Sequence, residues 1–464
     1  MPADARTPDT CAHLLGDCGY TVVMTASGSG CSRWKGLAVT RWRPGDRDGG
    51  QGSYVYLRDV TDGTVWSVTA LPSGGTPRCW FDEGLARFAR RDGAFTTTLE
   101  VAVDPGHAVE VRGIGVRNDG PVAREIELTS YVELVLGSAQ ADRSHPAYSK
   151  MFVQTACEDG VLLAWRRKKD PSEPDIWTAY ALVVDGTETG GRECETDRAR
   201  FIGRDRSLAA PLAMQAGQRL SDTVGTVLDP IFSLRARLAV GAGETRRVAF
   251  VTAVAASREE VLALIRRCLT PVACGGVYAR AREAAPLALK ALGIDAAAAR
   301  RFQQLAGALV GSDDSWRTDA AVRAKGEGGA PVLWAKGISG DLPIVLLRID
   351  ASSQIGLVEE MLLAQHFWRA RQLPADLVVV NAARGEGAAA LDAALQGVTA
   401  QAGQGDKSQG SVFLLRDSDL DARLRDGLSA AACIVLDGRD GDLARQLARR
   451  SMAAGISFPE LPVL

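Results

Sequence analysis

Glu125-Ile126-Glu127-Leu128-Thr129-Ser130-Tyr131-Val132-Glu133-Leu134-Val135-Leu136 sets the pattern for the first half of the chain. Successive side chains of an extended backbone point to opposite faces, so β-favouring residues alternating with polar ones describe a strand with one face on a core. Stretches 95–103, 109–116, 152–155, 161–165 and 177–184 share the habit, and Asp104-Pro105-Gly106 stops the first of them. Upstream, 20–25 is broken by Ser27-Gly28-Ser29-Gly30 and resumes at 37–42. The run 54–60 ends at Asp62-Gly63, a hairpin turn signal, and 65–69 follows it. Downstream, 232–240 and 247–254 are joined through Gly241-Ala242-Gly243. Strands recurring between short Gly, Pro and Asp turns, with almost no helix, predict a large antiparallel β-sandwich over residues 1–255.

The period changes at Ser257. Ser257 and Glu260 have capping-box spacing, and Val261, Leu264, Ile265 and Cys268 fall on one helical face. An Ala-rich helical stretch, 278–310, follows, so 256–310 is expected to be a helical linker. Beyond it, apolar runs at 342–349, 376–380, 411–415 and 433–436 each precede a helical pattern, at 355–371, 388–401, 420–428 and 442–450. Strand then helix, four times over, predicts a small parallel α/β domain at 311–464. Residues 404–410 form a polar loop.

A chain of 464 residues is too long for one ordinary core. Its 46% hydrophobic and 24% charged residues are globular values, and a net charge of -2 excludes a dedicated nucleic-acid binder. Arg166-Arg167-Lys168-Lys169 reads as a solvated strand end. The nine cysteines are odd in number and irregular in spacing, with no CxxC, which argues against a disulfide framework and a structural zinc site. Four histidines, none paired at ligand spacing, predict no metal, and no cofactor is expected. The polar start Met1-Pro2-Ala3-Asp4 carries no secretory signal, and no stretch approaches the roughly 18 apolar residues that span a bilayer. The expected location is the cytoplasm, at the inner membrane only through other parts of a larger protein.

Seven segments carry a family resemblance. They are 27–43 (Ser27-Gly28-Ser29-Gly30 through Trp34 to Arg41-Trp42-Arg43), 54–59, 125–131, His145-Pro146-Ala147-Tyr148-Ser149-Lys150, 195–201, Leu228-Asp229-Pro230-Ile231, and Gly337-Ile338-Ser339-Gly340-Asp341-Leu342-Pro343-Ile344. In this order they resemble the glycosyltransferase-36-type repeat of cyclic β-1,2-glucan synthases, akin to cellobiose-phosphorylase-like glycoside hydrolases of family 94. The resemblance covers most of the chain and implies a galactose-mutarotase/phosphorylase-like sandwich. Cys31 departs from it, standing where the family usually has an aromatic residue. The resemblance also implies that a second sandwich and an (α/α) barrel bearing the general-acid aspartate should follow. The chain ends at Leu464, so it is expected to be a first, non-catalytic repeat that leans on the remaining domains of a synthase.

No catalytic residue is assigned. Carbohydrate binding is placed on Trp34, Arg41, Trp42, Tyr54, Arg58 and Asp59, where rings can stack on a glucosyl face and charges address hydroxyls. The same residues read equally as core aromatics and surface ion pairs. Because neighbours on a strand face opposite ways, Arg41 and Trp42 cannot share a face of a strand over 37–42. Asp341 reads as a glycosidic acid or, without a second carboxylate, as a turn residue before a buried strand. Gly385-Glu386-Gly387 with Ala390 only approximates a dinucleotide loop, and a flexible turn explains it as well. His145, before Pro146 and with no G-x-S-x-G elbow in the chain, reads as structural. The expected ligand is a β-glucan or glucosyl unit.

Overall fold

A computed structural model describes residues 12–17, 19–43, 50–311, 314–326, 329, 331–401 and 409–454. It resolves into two compact units, 13–288 and 289–464.

In the first unit the strand Arg124–Gly137 is the spine. It pairs antiparallel with Pro230–Val240 on one side. On the other it pairs with Ser53–Asp59 and, at its far end, with Leu37–Thr40. Ala12–Gly16, Tyr20–Thr25, Gly30–Trp34, Val65–Ser67 and Glu193–Asp197 complete a nine-stranded sheet. The facing sheet has eight antiparallel strands in the order Val153–Glu158, Val161–Arg166, Trp177–Asp185, Thr245–Ala255, Val109–Asn118, Phe95–Val103, Leu85–Asp92 and Arg78–Asp82. The alternation along 125–136 explains the layering. Ile126, Leu128, Val132 and Leu134 enter the core between the sheets, with Val22, Leu57, Val101, Ile114, Phe232 and Phe250. Tyr131, one step out of phase, joins a second cluster on the sheet's other face, where Phe201, Ile202, Leu208, Met214 and Leu220 roof Tyr54 and Tyr56.

The hairpin at Ser27-Gly28-Ser29-Gly30 needs its glycines. Gly28 has φ +90 and a Cβ there would lie 2.1 Å from Thr69 Cβ; at Gly30, with φ +153, it would lie 1.9 Å from the Val23 carbonyl oxygen. Ser257 caps the helix Arg258–Arg266, its hydroxyl accepting from the Glu260 amide at 3.2 Å. That helix and the next, Pro271–Ala291, set Val261, Ile265, Val277 and Ala281 against the outer face of the eight-stranded sheet. The stretch 256–310 is therefore shared between the units, and the single helical run expected over 278–310 is broken around Gly293, φ +70, before Ala296–Gly311. Five strands escaped the sequence reading in whole or part: Ala12–Gly16, Gly30–Trp34, Arg78–Asp82, Leu85–Asp92 and Glu193–Asp197.

In the second unit four parallel strands lie in the order Val412–Arg416, Asp376–Asn381, Ile344–Ile349, Ala432–Asp437. Each is followed by a helix: Ile355–Arg369 after the first in the chain, then Glu386–Gln401, Ala422–Ala431 and Leu443–Ala454. Ile344, Leu346, Val378 and Val380 bury one face against Leu420, Leu424 and Leu428. Among the described residues no single helix is long and apolar enough to cross a membrane. No group of three or more His, Cys, Asp or Glu among them is placed to hold a metal ion.

Candidate functional site

Where the strand Leu37–Thr40 ends, the Arg41 amide still donates to the Glu133 carbonyl at 3.0 Å, which holds the residue against the spine. Its buried guanidinium grips Asp142 with both forks, Nε to Oδ2 at 2.9 Å and Nη2 to Oδ1 at 2.8 Å. Nη1 meets Glu133 Oε2 at 3.1 Å and Asp229 Oδ1 at 3.5 Å. Ser138 caps the short helix Ala139–Ser144, which carries Asp142. Glu133 also accepts from the Tyr131 hydroxyl at 2.6 Å and from Arg198 Nε at 3.0 Å. Asp229 completes the cluster, 2.7 Å from Lys150 Nζ and 3.9 Å from Arg198.

Burial lowers the pKa of Arg41, but its hydrogen bond to Asp142 and the charges of Glu133, Asp142 and Asp229 outweigh that and hold it above the ordinary value. The same balance, led by Tyr131 and Glu133, raises Arg198. Burial first, then Glu133, pushes the Tyr131 hydroxyl far up, so it stays a neutral donor.

The cluster is not fully satisfied. The indole nitrogen of Trp42, Nε of Arg43, Oε1 of Gln51 and Oδ1 of Asp229 are buried, and none has a hydrogen-bond partner among the described residues. All four belong to the network or its border. Arg43 also reaches Asp142, at 3.8 Å, and Arg198 Nη2 donates to the Gly50 carbonyl beside Gln51 at 3.4 Å. Asp229 is 22% exposed and Arg198 31%, so the cluster opens to solvent on one side. On the short helix Pro146–Lys150, which supplies Lys150, Tyr148 is exposed, packed edge-on to Phe152 with Lys169 Nζ 4.3 Å from its ring centre. Orphaned polar atoms in a native fold call for a partner. Each carboxylate here is engaged by Arg or Lys.

Of the six residues expected to bind sugar, Arg41 stands in this cluster, 3% exposed and fully paired, and Trp42 follows it in the chain, partly exposed. The strand ends at Thr40, so the alternation that would have separated them does not apply. The other four are turned into the fold. Trp34 is 7% exposed and lies in the core between the sheets. Tyr54 lies under the roof of the outer face, its hydroxyl on the Gln51 carbonyl at 2.6 Å. Arg58 is forked onto Glu127 at 3.1 and 3.0 Å. Asp59 accepts from the Thr61 amide at 2.8 Å and pairs with Arg124 at 3.2 Å. Asp341 is exposed in the turn before Ile344–Ile349, its amide donating to Ser339 Oγ at 3.2 Å. His145 is the residue between two short helices, its amide on the Ala141 carbonyl at 3.0 Å.

The sequence reading missed Glu133, Asp142, Lys150, Arg198 and Asp229 as site residues. The signal was present: Lys150, Arg198 and Asp229 each sit in one of the segments that carry the family resemblance, and those segments converge only in three dimensions.

Known proteins match most of this chain. A family model described as glycosyl hydrolase 94, supersandwich domain, matches residues 1–271. The cyclic beta-(1,2)-glucan synthase NdvB of Rhizobium meliloti (strain 1021) is 35% identical over 444 residues, which is 94% of this chain and 16% of that protein. The N,N'-diacetylchitobiose phosphorylase of Vibrio proteolyticus is 26% identical over 235 residues, 48% of this chain and 28% of its own length. The solabiose phosphorylase of Paenibacillus borealis is 23% identical over 225 residues, again 48% and 28%. The chain thus spans a minor part of each relative.

Proposed function

Since the chain belongs to the glycosyl hydrolase 94 supersandwich family, we propose that it is a carbohydrate-binding and scaffolding portion of a cyclic β-1,2-glucan synthase-like or disaccharide-phosphorylase-like glycosyltransferase, inactive when alone. The supporting observation is the set of four orphaned polar atoms around Arg41 and Asp229, at the place where the family-like segments meet. Sugar hydroxyls donate and accept in one group, so they suit such atoms once movement of side chains on the solvent side uncovers them, and the partly exposed Trp42 ring is proposed as a stacking face. The synthase reading is favoured over the phosphorylase reading because likeness to the synthase extends over 94% of the chain and so includes most of the α/β unit.

An open site with one or two rings should bind weakly, in the millimolar range, on the order of 4 kcal/mol. Calorimetric titration with linear β-1,2-glucan tests this: wild-type protein should bind and Trp42→Ala should not. A wild type that binds no glucan, or binding that survives Trp42→Ala, would overturn the reading. Inactivity is checked by product analysis with sophorose and longer glucans, where turnover lost on Asp341→Asn would contradict it. Co-purification with a barrel protein would favour an assembly module instead.

A further inference from the structure

We infer that the α/β unit holds a phosphorylated sugar or polyol in the crevice at the carboxyl end of its parallel sheet. This site lies on a different unit from the glucan surface and does not depend on it. In chain order the four strands lie 3-2-1-4 across the sheet, so the connections from the first and third strands run to opposite sides of the central strand Ile344–Ile349. Open sheets of this kind form a ligand crevice outside the carboxyl ends of the strands at that switch point. Here it measures about 480 Å³ and lies between Ile349-Asp350, Ala382-Ala383-Arg384 and Asp437. That is within the range of about 300–1,000 Å³ usual for small-molecule sites.

The charges select the ligand. Four arginines and three aspartates line the crevice. Two of the arginines are committed: Arg439 Nε is 2.8 Å from Asp350 Oδ2, and Arg425 Nε is 3.0 Å from Asp417 Oδ1. The other two are free of carboxylates among the described residues. Arg348 bonds only the Ser429 hydroxyl, at 2.9 Å, and the exposed Arg384 bonds none of them. Two uncommitted guanidiniums match one phosphomonoester dianion, because their planar forks pair with phosphate oxygens. Three carboxylates in the same crevice repel a polyanion but accept from hydroxyls. Among the described residues no aromatic side chain lines the crevice, so they offer a nucleotide base nothing to stack on. A phosphate on a hydroxylated body satisfies all of these features.

Full-length protein titrated with glucose 6-phosphate, glucose and inorganic phosphate tests the assignment. Glucose 6-phosphate should bind, glucose should not, and inorganic phosphate should bind about tenfold or more weakly, because it leaves the aspartates without hydroxyls. Arg384→Ala, at an exposed position, should weaken glucose 6-phosphate about tenfold without shifting the melting temperature. Arg348→Ala with Arg384→Ala should abolish binding, and Trp42→Ala should leave it unchanged. No binding of glucose 6-phosphate at millimolar concentration, equal binding of inorganic phosphate, or binding that survives the double substitution would each overturn it.

Discussion

Glu127 and Glu133 stand on the same face of the strand Arg124–Gly137, both buried, and are used differently. Glu127 is 0% exposed and takes Arg58 by both forks, Arg237 at 2.9 Å and Arg235 at 3.4 Å. Arg235 is in turn held by Thr129 Oγ1 at 2.8 Å, the Gln218 carbonyl at 2.7 Å and Glu193 at 3.4 Å. None of these side chains carries an orphaned atom among the described residues. Around Glu133 the same chemistry stops short, with Trp42, Arg43, Gln51 and Asp229 left partly unpartnered. Burying a charge costs several kcal/mol unless its partners are complete. The complete network supports the fold, and the incomplete one, open to solvent on one side, is where the proposed glucan would add partners.

The largest expected effect comes from breaking the complete network. Glu127→Ala strands two buried arginines, Arg58 and Arg235, beside the partly exposed Arg237, and should cost about 3–5 kcal/mol in urea unfolding. A loss below about 1 kcal/mol would mean the two networks do not differ in kind. The tryptophans sharpen the contrast. Trp34→Ala empties a core position and should cost about 3 kcal/mol or more, whereas Trp42→Ala should cost about 1 kcal/mol or less and be felt in glucan affinity.

Acid should dissolve the Glu127 network next. Burial raises this carboxyl, but the hydrogen bonds of Arg58 and the charges of Arg235 and Arg58 outweigh it and hold it below the usual glutamate value. A depressed carboxyl contributes stability that is present above the unfolded value of about 4.3 and lost as pH falls through the lower folded value. Urea midpoints measured from pH 6 downward should therefore fall less steeply in Glu127→Gln than in wild type as pH drops through about 4.3, since the variant has lost this titration. Identical slopes would remove Glu127 from the account. The smallest effect belongs to the open side: Tyr148→Ala, at an exposed ring, should leave stability within about 0.5 kcal/mol and weaken glucan binding severalfold. Unchanged binding would take Tyr148 out of the site.

The layers were legible because period two needs only neighbouring residues: the core of the nine-stranded sheet was visible in 125–136, and the strand–helix alternation in 342–450 held. The fate of the charges was not legible. Arg41 is buried because Glu133, 92 positions away, and Asp142, 101 away, come to meet it. Arg58 is buried because of Glu127, 69 positions away. No local pattern records such partners, so an arginine beside a tryptophan reads alike whether it awaits a sugar or a glutamate. The strand Leu85–Asp92 was hidden for a related reason, since Arg87, Arg90 and Arg91 interrupt its apolar rhythm and stay near the surface. Trp34 and Trp42 share one local context and are separated only by the strand ending between them, at Thr40.

The spine strand also sets a timetable for synthesis. Its pairing with Ser53–Asp59 needs only residues already made, but its other edge pairs with Pro230–Val240, about a hundred residues later in translation. Until Val240 clears the ribosome, the longest strand of the sheet presents bare amides and carbonyls along most of its length, a template for joining another chain. Long-range strand pairing of this kind makes folding slow. The nascent chain therefore carries an aggregation hazard at Arg124–Gly137, and the arrival of the late strand Pro230–Val240 ends it.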